Sequence, residues 1–284
     1  MRCTAASGER PPAAKKSLGQ HFLRRDDICT RIAALLLPVE DDDVIEIGPG
    51  PGALTRALEA QAHRRLLLLE KDRYWAAERQ RLAGPHTQAA LMDALRFCWR
   101  RITPEQPWKI AGNLPYNVAS PLIWDMVSQA TGWRRAVFMV QKEVGQRLAA
   151  RPGTGQYGGL SVWVQSFAQP RLEFLVGPGA FSPPPKVDSA VLSFAPLPLE
   201  RRPARPDLLA KLLRVCFQQR RKQLGGIFRH SGLPWLAEAL TSMGLAPTLR
   251  PEMLSVDDFQ RLTACWAERT PPGCRHRGRP DTSD

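Results

Sequence analysis

Residues 43–56 read DVIEIGPGPGALTR. Residues 44–48 (VIEIG) are predicted to form a short buried strand that runs into a glycine- and proline-rich turn. Residues 53–61 follow as a helix. A strand, a tight glycine turn and a helix open an α/β unit, and the same rhythm repeats downstream. Residues 66–69 are a second apolar run, ending at Glu70, and residues 72–82 have a helical pattern. Residues 108–112 and 136–140 are further predicted strands. This alternation predicts a parallel sheet covered by helices on both faces. Residues 187–194 alternate more regularly and are predicted to be a late antiparallel edge strand.

The pattern changes past residue 196, where a proline-rich linker stops regular structure. Beyond it, Leu208, Leu209, Leu212, Leu213, Cys216 and Phe217 fall at helical spacing, and residues 233–243 and 256–266 have the same pattern. The predicted organisation is therefore a sheet domain over 15–196 and a small all-α domain over 197–269. Residues 1–14 are expected to be a mobile segment and 270–284 a disordered tail.

The chain has 284 residues, 43% of them hydrophobic, which is enough for a packed core and argues against a fibrous or disordered chain. Basic residues number 40 and acidic residues 27, for a net charge of +13. Such a balance points to a polyanionic partner. The positive set is mostly arginine, whose fork grips phosphate well, although codon bias would produce the same excess. The six cysteines are scattered with no CxxC pair, and the histidines show no metal spacing, so no metal site is expected. No apolar run spans a bilayer and no secretory h-region precedes residue 20, so a cytoplasmic protein with reduced thiols is expected.

Four motifs carry chemistry. In the first, Glu46, Gly48, Gly50 and Gly52 lie at a strand end, where a backbone without Cβ atoms lets a ligand approach. Read as Gly48-x-Gly50-x-x-Ala53, the loop suits a dinucleotide as well as another adenosine-containing cofactor, or a bare structural turn. In the second, Glu70 closes the next strand, where a carboxylate can accept both hydroxyl protons of a ribose. The third is Asp93, placed to accept from an adenine amine or simply to cap a turn. The fourth is Asn113-Leu114-Pro115-Tyr116, after the strand at 108–112. An exocyclic adenine amine is a poor nucleophile, because its lone pair is delocalised into the ring. The Asn113 side-chain oxygen and the Leu114 carbonyl can accept its two protons and localise that pair. Pro115 stiffens the loop and Tyr116 can stack on the base.

With these motifs in order, the chain resembles the small-subunit ribosomal RNA adenine N6,N6-dimethyltransferase family. The resemblance runs from about Lys15 to Arg269 and rests on six stretches: KKSLGQHFL (15–23), EIGPGPGALT, NLPYNVASPL (113–122), QKEVGQRLAARPGTGQYGGLSV (141–162), FSPPPKVDSAV (181–191) and FQQRRKQL (217–224). It implies a Rossmann-like class I methyltransferase fold with a seven-stranded, mostly parallel sheet, plus the helical domain as an RNA-binding part. Gln20, His21 and Leu23 would line the methionine and adenosine end of bound S-adenosylmethionine, Gly48 would touch the cofactor backbone, Glu70 the ribose and Asp93 the adenine, with Glu46, Gly50, Gly52 and Asn113 also among the cofactor-binding residues. Asn113 and Tyr116 would hold the target base and Phe181 would close its opposite face. Arg220, Arg221 and Lys222 would clamp RNA backbone. His21 stands where many relatives have Asn, and Leu224-Gly225-Gly226 departs from the character common after the basic motif. The implied reaction dimethylates two adjacent adenosines near the 3′ end of small-subunit rRNA. The enzyme would act as a monomer on immature 30S subunits.

Three other readings have separate discriminators. A non-catalytic assembly or transcription factor would bind cofactor without transferring methyl groups. A large-subunit rRNA methyltransferase would differ in the RNA it marks. An NAD oxidoreductase would rest on the glycines alone and leave Asn113–Tyr116 and the positive charge unexplained.

Overall fold

The computed structural model describes residues 20–270. The segments expected to be mobile at 1–14 and in the tail past residue 270 lie outside the described residues, as do residues 15–19 of the N-terminal motif. The chain divides into two compact units. One takes the chain up to Ala150 together with Phe167–Arg201; the other takes Arg151–Ser166 and the chain from Arg202 onward.

The first unit is built on seven strands: β1 (Asp43–Ile47), β2 (Arg65–Glu70), β3 (Thr87–Leu91), β4 (Trp108–Asn113), β5 (Trp133–Gln141), β6 (Ala168–Val176) and β7 (Ser189–Pro196). Their order across the sheet is β3-β2-β1-β4-β5-β7-β6. Only β7 runs opposite to the other six strands, and it is antiparallel to both of its neighbours. Every residue of β1 is buried, as expected of a central strand covered on both faces. The covering helices are α1 (Asp26–Leu35), α2 (Ala53–Glu59), α3 (Arg73–Leu82), α4 (Ala119–Gln129) and α5 (Lys142–Leu148). α1 turns Ile28, Cys29, Ile32 and Ala33 inward, and α3 starts on Asp72, whose side chain accepts from the Tyr74 N–H at 3.0 Å.

The register positions the site. Ile47 pairs with Leu69 on one side and Gly112 on the other, so β1, β2 and β4 end level. Gly48, Glu70 and Asn113 therefore emerge along one edge of the sheet. That edge is where the strand order reverses about β1, and open α/β sheets form their ligand crevice there.

The strand expected over 187–194 exists and is antiparallel, but it is not at the edge: β7 lies between β5 and β6. The true edge strand, β6, was not foreseen. A register shift between Leu172 and Phe174 breaks its two-residue alternation. Its Pro170 lacks an N–H, which suits an edge.

The second unit holds α6 (Gly159–Gln165), α7 (Pro206–Gln218), α8 (Leu224–His230), α9 (Trp235–Ser242) and α10 (Val256–Glu268). α7 buries Leu208, Leu209, Leu212, Leu213 and Cys216, the stripe visible in the sequence. α10 opens with a reciprocal cap: Ser255 Oγ accepts from the Asp258 N–H, and Asp258 accepts from the Ser255 N–H. The helical unit is thus not the contiguous stretch expected from residue 197. α6 packs on α7 and α10, and the Gly153 N–H donates to the Glu252 carbonyl at 2.7 Å, so Arg151–Ser166 joins helices encoded far downstream. Gly225 sits where a Cβ would meet Pro247 at 3.0 Å.

Candidate active site

The sheet edge carries one cavity whose walls include Gly48, Gly50, Glu70, Asp93 and Asn113–Tyr116. Four motifs far apart in sequence meet there.

The glycine loop and Glu70 are tied together. Gly50 has a φ of +50° and its N–H donates to Glu70 Oε2 at 3.0 Å. The Asp72 N–H donates to Oε1 at 2.7 Å. Glu70 is almost fully buried, and burial raises its pKa more than the backbone N–H groups of Asp72, Gly50 and Lys71 lower it. Each oxygen keeps a lone pair for another donor, so the carboxyl can still take the hydroxyls of a ribose. A Cβ on Gly50 would lie 3.0 Å from the Phe22 ring, which closes over the loop.

Asp93 forms the next part of the wall. It caps the turn that follows β3, accepting from the Leu95 N–H at 3.1 Å, and pairs with Lys71 at 2.8 Å. Burial raises its pKa, but the Lys71 and Leu95 bonds outweigh that and hold the carboxyl below its ordinary value. Met92 and Leu95, on either side of it, present apolar surface to the same cavity. A carboxylate flanked by flat apolar contacts suits a purine with an exocyclic amine.

Asn113 is the last residue of β4. Its Nδ2 donates to the His21 carbonyl at 2.9 Å, and its Oδ1 has no partner among the described residues. The Leu114 N–H donates to the Met139 carbonyl at 3.0 Å, and the Pro115 carbonyl accepts from Val118 and Ala119. The loop is therefore pinned at both ends. Tyr116 is half-buried, with its hydroxyl 2.9 Å from Ser189 Oγ on β7, and burial raises its pKa despite that bond. The His21 imidazole stacks on the Tyr116 ring at 5.4 Å and 29°. His21 Nδ1 donates to the Pro183 carbonyl at 2.8 Å. His21 thus orients Asn113 through its main chain and braces Tyr116 through its side chain. Because the contact to Asn113 is through the backbone, it does not depend on residue 21 being Asn.

The cavity walls contain Gln20, His21, Gly48, Gly50, Glu70, Asp93, Asn113, Leu114, Pro115 and Tyr116, all singled out from the sequence. The four other residues predicted for the cofactor or the base are elsewhere. Leu23 and Phe181 pair across a two-residue ladder and belong to the hydrophobic core. Phe181 is 5% exposed, so the structure puts its ring in the interior, not on the cavity wall. Glu46 and Gly52 lie beneath the loop. Burial pushes the Glu46 carboxyl up to about 8, against the pull of Thr55 and Arg79. Gly52 has a φ of +84°, and a Cβ there would lie 2.0 Å from Arg79 Nη1. Of the expected RNA clamp, Arg221 and Lys222 are exposed. Arg220 is partly committed internally: it donates to the Gly155 carbonyl at 3.0 Å and lies 3.8 Å from Glu252.

Sequence reasoning missed Phe22, Lys71, Met92, Leu95, Ser189 and Arg79. The apolar residues flanking Asp93 were a usable signal. Arg79 and Ser189 act through contacts that only the fold creates.

The model of a family described as ribosomal RNA adenine dimethylase matches residues 12–268. A "Ribosomal RNA small subunit methyltransferase A" of Nitratidesulfovibrio vulgaris is 55% identical over 260 residues, covering 89% of this chain and 96% of the relative. One of the same name from Oleidesulfovibrio alaskensis is 53% identical over 254 residues, covering 88% and 90%. Among solved structures, a dimethyladenosine transferase from Plasmodium falciparum superposes with a TM-score of 0.77 over 88% of this chain and 98% of that one, at 24% identity. At that identity the likeness is one of fold.

Proposed function

The chain belongs to the ribosomal RNA adenine dimethylase family, and from that premise we propose that it dimethylates the N6 amines of two adjacent adenosines near the 3′ end of small-subunit rRNA, with S-adenosylmethionine as methyl donor. The substrate is the immature 30S subunit, the enzyme works as a cytoplasmic monomer, and the modification accompanies late subunit assembly. Among the described residues no helix is long and apolar enough to cross a membrane.

The residues present fit the cofactor. Glu70 has lone pairs left for the ribose hydroxyls, Asp93 for the adenine amine, and Met92 and Leu95 offer apolar surface to the ring. Gly48 and Gly50 let the backbone come close. When bound, the cofactor supplies a methyl group on a sulfonium.

The chain's own residues prepare the nucleophile. The Asn113 Oδ1 and the Leu114 carbonyl accept the two amine protons of the target adenine, so the nitrogen becomes pyramidal and its lone pair is directed outward. Tyr116, held by Ser189 and His21, fixes the plane of the base. The attacking group is neutral, and once methylated it is a cationic amine acidic enough to release one N–H proton to solvent, so no strong base is required; in the second transfer one acceptor holds the single remaining N–H, and the work is positioning with preorganised acceptors. The base must leave its stack to arrive, at a cost of a few kcal/mol that positive charge and ring stacking offset.

The observation that carries this reading is the commitment of the Asn113 amide nitrogen to the His21 carbonyl, which leaves the amide oxygen as the acceptor in the cavity wall. Asn113→Ala is expected to slow methyl transfer to unmethylated 30S particles by about a hundredfold or more. Cofactor affinity by calorimetry should change only a few-fold. Equal loss of binding and transfer would refute the assigned role. Labelled-methyl transfer with mapping of the modified nucleotides tests the substrate itself.

A further inference from the structure

We infer that Ser189 is a positioning residue for the second methyl transfer: it anchors the Tyr116 ring, which must hold the adenine once the amine has lost one of its two hydrogen bonds. The inference rests on the proposed function and deepens it, because it assigns the step from one methyl group to two to a residue that does not line the cavity.

Ser189 opens β7 and is fully buried. It pairs in register with Gln141 of β5 and Val176 of β6, so strands on both sides fix its place. Its Oγ lies 2.9 Å from the Tyr116 hydroxyl. Tyr116 has a second brace, the His21 imidazole stacked on its ring at 5.4 Å, and His21 Nδ1 donates to the Pro183 carbonyl at 2.8 Å. Both braces therefore end on one stretch of chain, PPPKVDS (183–189). That stretch is itself seated. Pro185 is buried, the Asp188 carbonyl accepts from the Lys142 N–H at 3.0 Å, and the Asp188 side chain pairs with Lys142 at 3.1 Å. The two amine acceptors are held elsewhere: Asn113 Nδ2 donates to the His21 carbonyl and the Leu114 N–H to the Met139 carbonyl. Loss of the Ser189 bond thus loosens the ring and leaves the acceptors in place.

The two transfers differ in what restrains the base. In each, the amine lone pair forms the N–C bond as the C–S bond of the methyl donor breaks onto sulfur, and the cationic amine then releases one proton to solvent. Before the first transfer the amine has two N–H groups for two acceptors, and two hydrogen bonds fix both its position and the rotation of the ring. Before the second it has one N–H, with a methyl group in place of the other. A single hydrogen bond holds the nitrogen but lets the base swing about it. The remaining restraint is the aromatic face on which the base stacks, so the tilt of Tyr116 matters more to the second step than to the first.

The test uses the full chain with Ser189→Ala, with Tyr116→Phe, which removes the same bond from its other end and keeps the ring, and with both changes together. Unmethylated 30S particles are given S-adenosylmethionine, and N6-methyladenosine and N6,N6-dimethyladenosine are counted by mass spectrometry along a time course. Each single variant is expected to slow the second step about fivefold and the first by less than about twofold, so that the monomethylated base accumulates. The double variant should be no worse than either single one, since both remove one bond. Cofactor affinity by calorimetry should stay within about twofold of wild type. Equal slowing of both steps would overturn the inference and make Ser189 a residue of the fold alone. Unchanged rates, or additive losses in the double variant, would overturn it as well. A wild-type chain that leaves no dimethyladenosine in the particles would overturn the proposed function itself, an outcome distinct from dimethylation that is indifferent to Ser189.

Discussion

Glu46 is the last residue but one of the buried strand β1, beneath the glycine loop, and is 1% exposed. Burial lifts its pKa to about 8, while an unfolded chain would release the proton near the ordinary carboxylate value. Between those limits the native state holds a proton that the unfolded state has lost, so this group makes the fold less stable as pH rises. Glu46→Gln removes the titration. Urea unfolding of the two proteins at pH 5, 6.5 and 8 should show the variant gaining on wild type, by at most about 1.4 kcal/mol for each pH unit. A constant difference would mean that Glu46 is already ionised in the fold. At this scale the sequence was informative where a residue's place depends only on its own strand. Glu70, Asp93 and Asn113 each follow an apolar run, and a parallel sheet brings such positions to one edge. It was silent on Lys71 against Asp93 and on Ser189 against Tyr116, because those partners are set by packing between elements. Phe181 was expected in the cavity because of the motif around it, but its short ladder with Leu23 turns the ring into the core.

Elements add a second constraint. α3 lays Arg79 under the glycine loop, with its guanidinium where a side chain at residue 52 would go. The left-handed backbone at Gly52 is already costly for any other residue. Gly52→Ala should therefore destabilise the protein by about 2 kcal/mol or more, and shortening Arg79 to Ala in the same chain should recover part of that loss. Chemical denaturation of the wild type, both single variants and the double variant measures the coupling. Simple additivity would show that the loop and α3 do not depend on each other there. The helices α2, α3, α7, α9 and α10 were visible in the sequence, α7 through its stripe of buried leucines, whereas α1, α4, α6 and α8 were not expected. The strand β6 was hidden because its bulge interrupts the alternation that identifies strands. With β6 missing, β7 was assigned to the edge, since nothing in its own sequence says that a neighbour lies on both sides.

For the whole molecule, the departure from a linear plan is the helical unit, assembled from Arg151–Ser166 and from the chain after Arg202. The first of these pieces lies in a sequence stretch that resembles a single long motif, and no composition change marks where one unit hands over to the other. A chain cut after Arg201 keeps α6 but loses α7 and α10, the helices it packs on. That fragment is expected to melt at least about 5 °C lower than the full chain and to aggregate on heating. Replacing residues 151–166 of the fragment by a short Gly/Ser bridge should suppress the aggregation. Equal light scattering from the two fragments would show that α6 needs no cover. The same arrangement has a consequence for how the protein is made. Synthesis delivers the last strand of the sheet well before the final helix, so the stretch bearing Val162, Trp163 and Val164 emerges early and waits for partners not yet translated. During that interval its apolar side chains need shelter, and a nascent chain stalled just past Arg201 should crosslink to chaperones through this stretch, whereas one released after α10 should not.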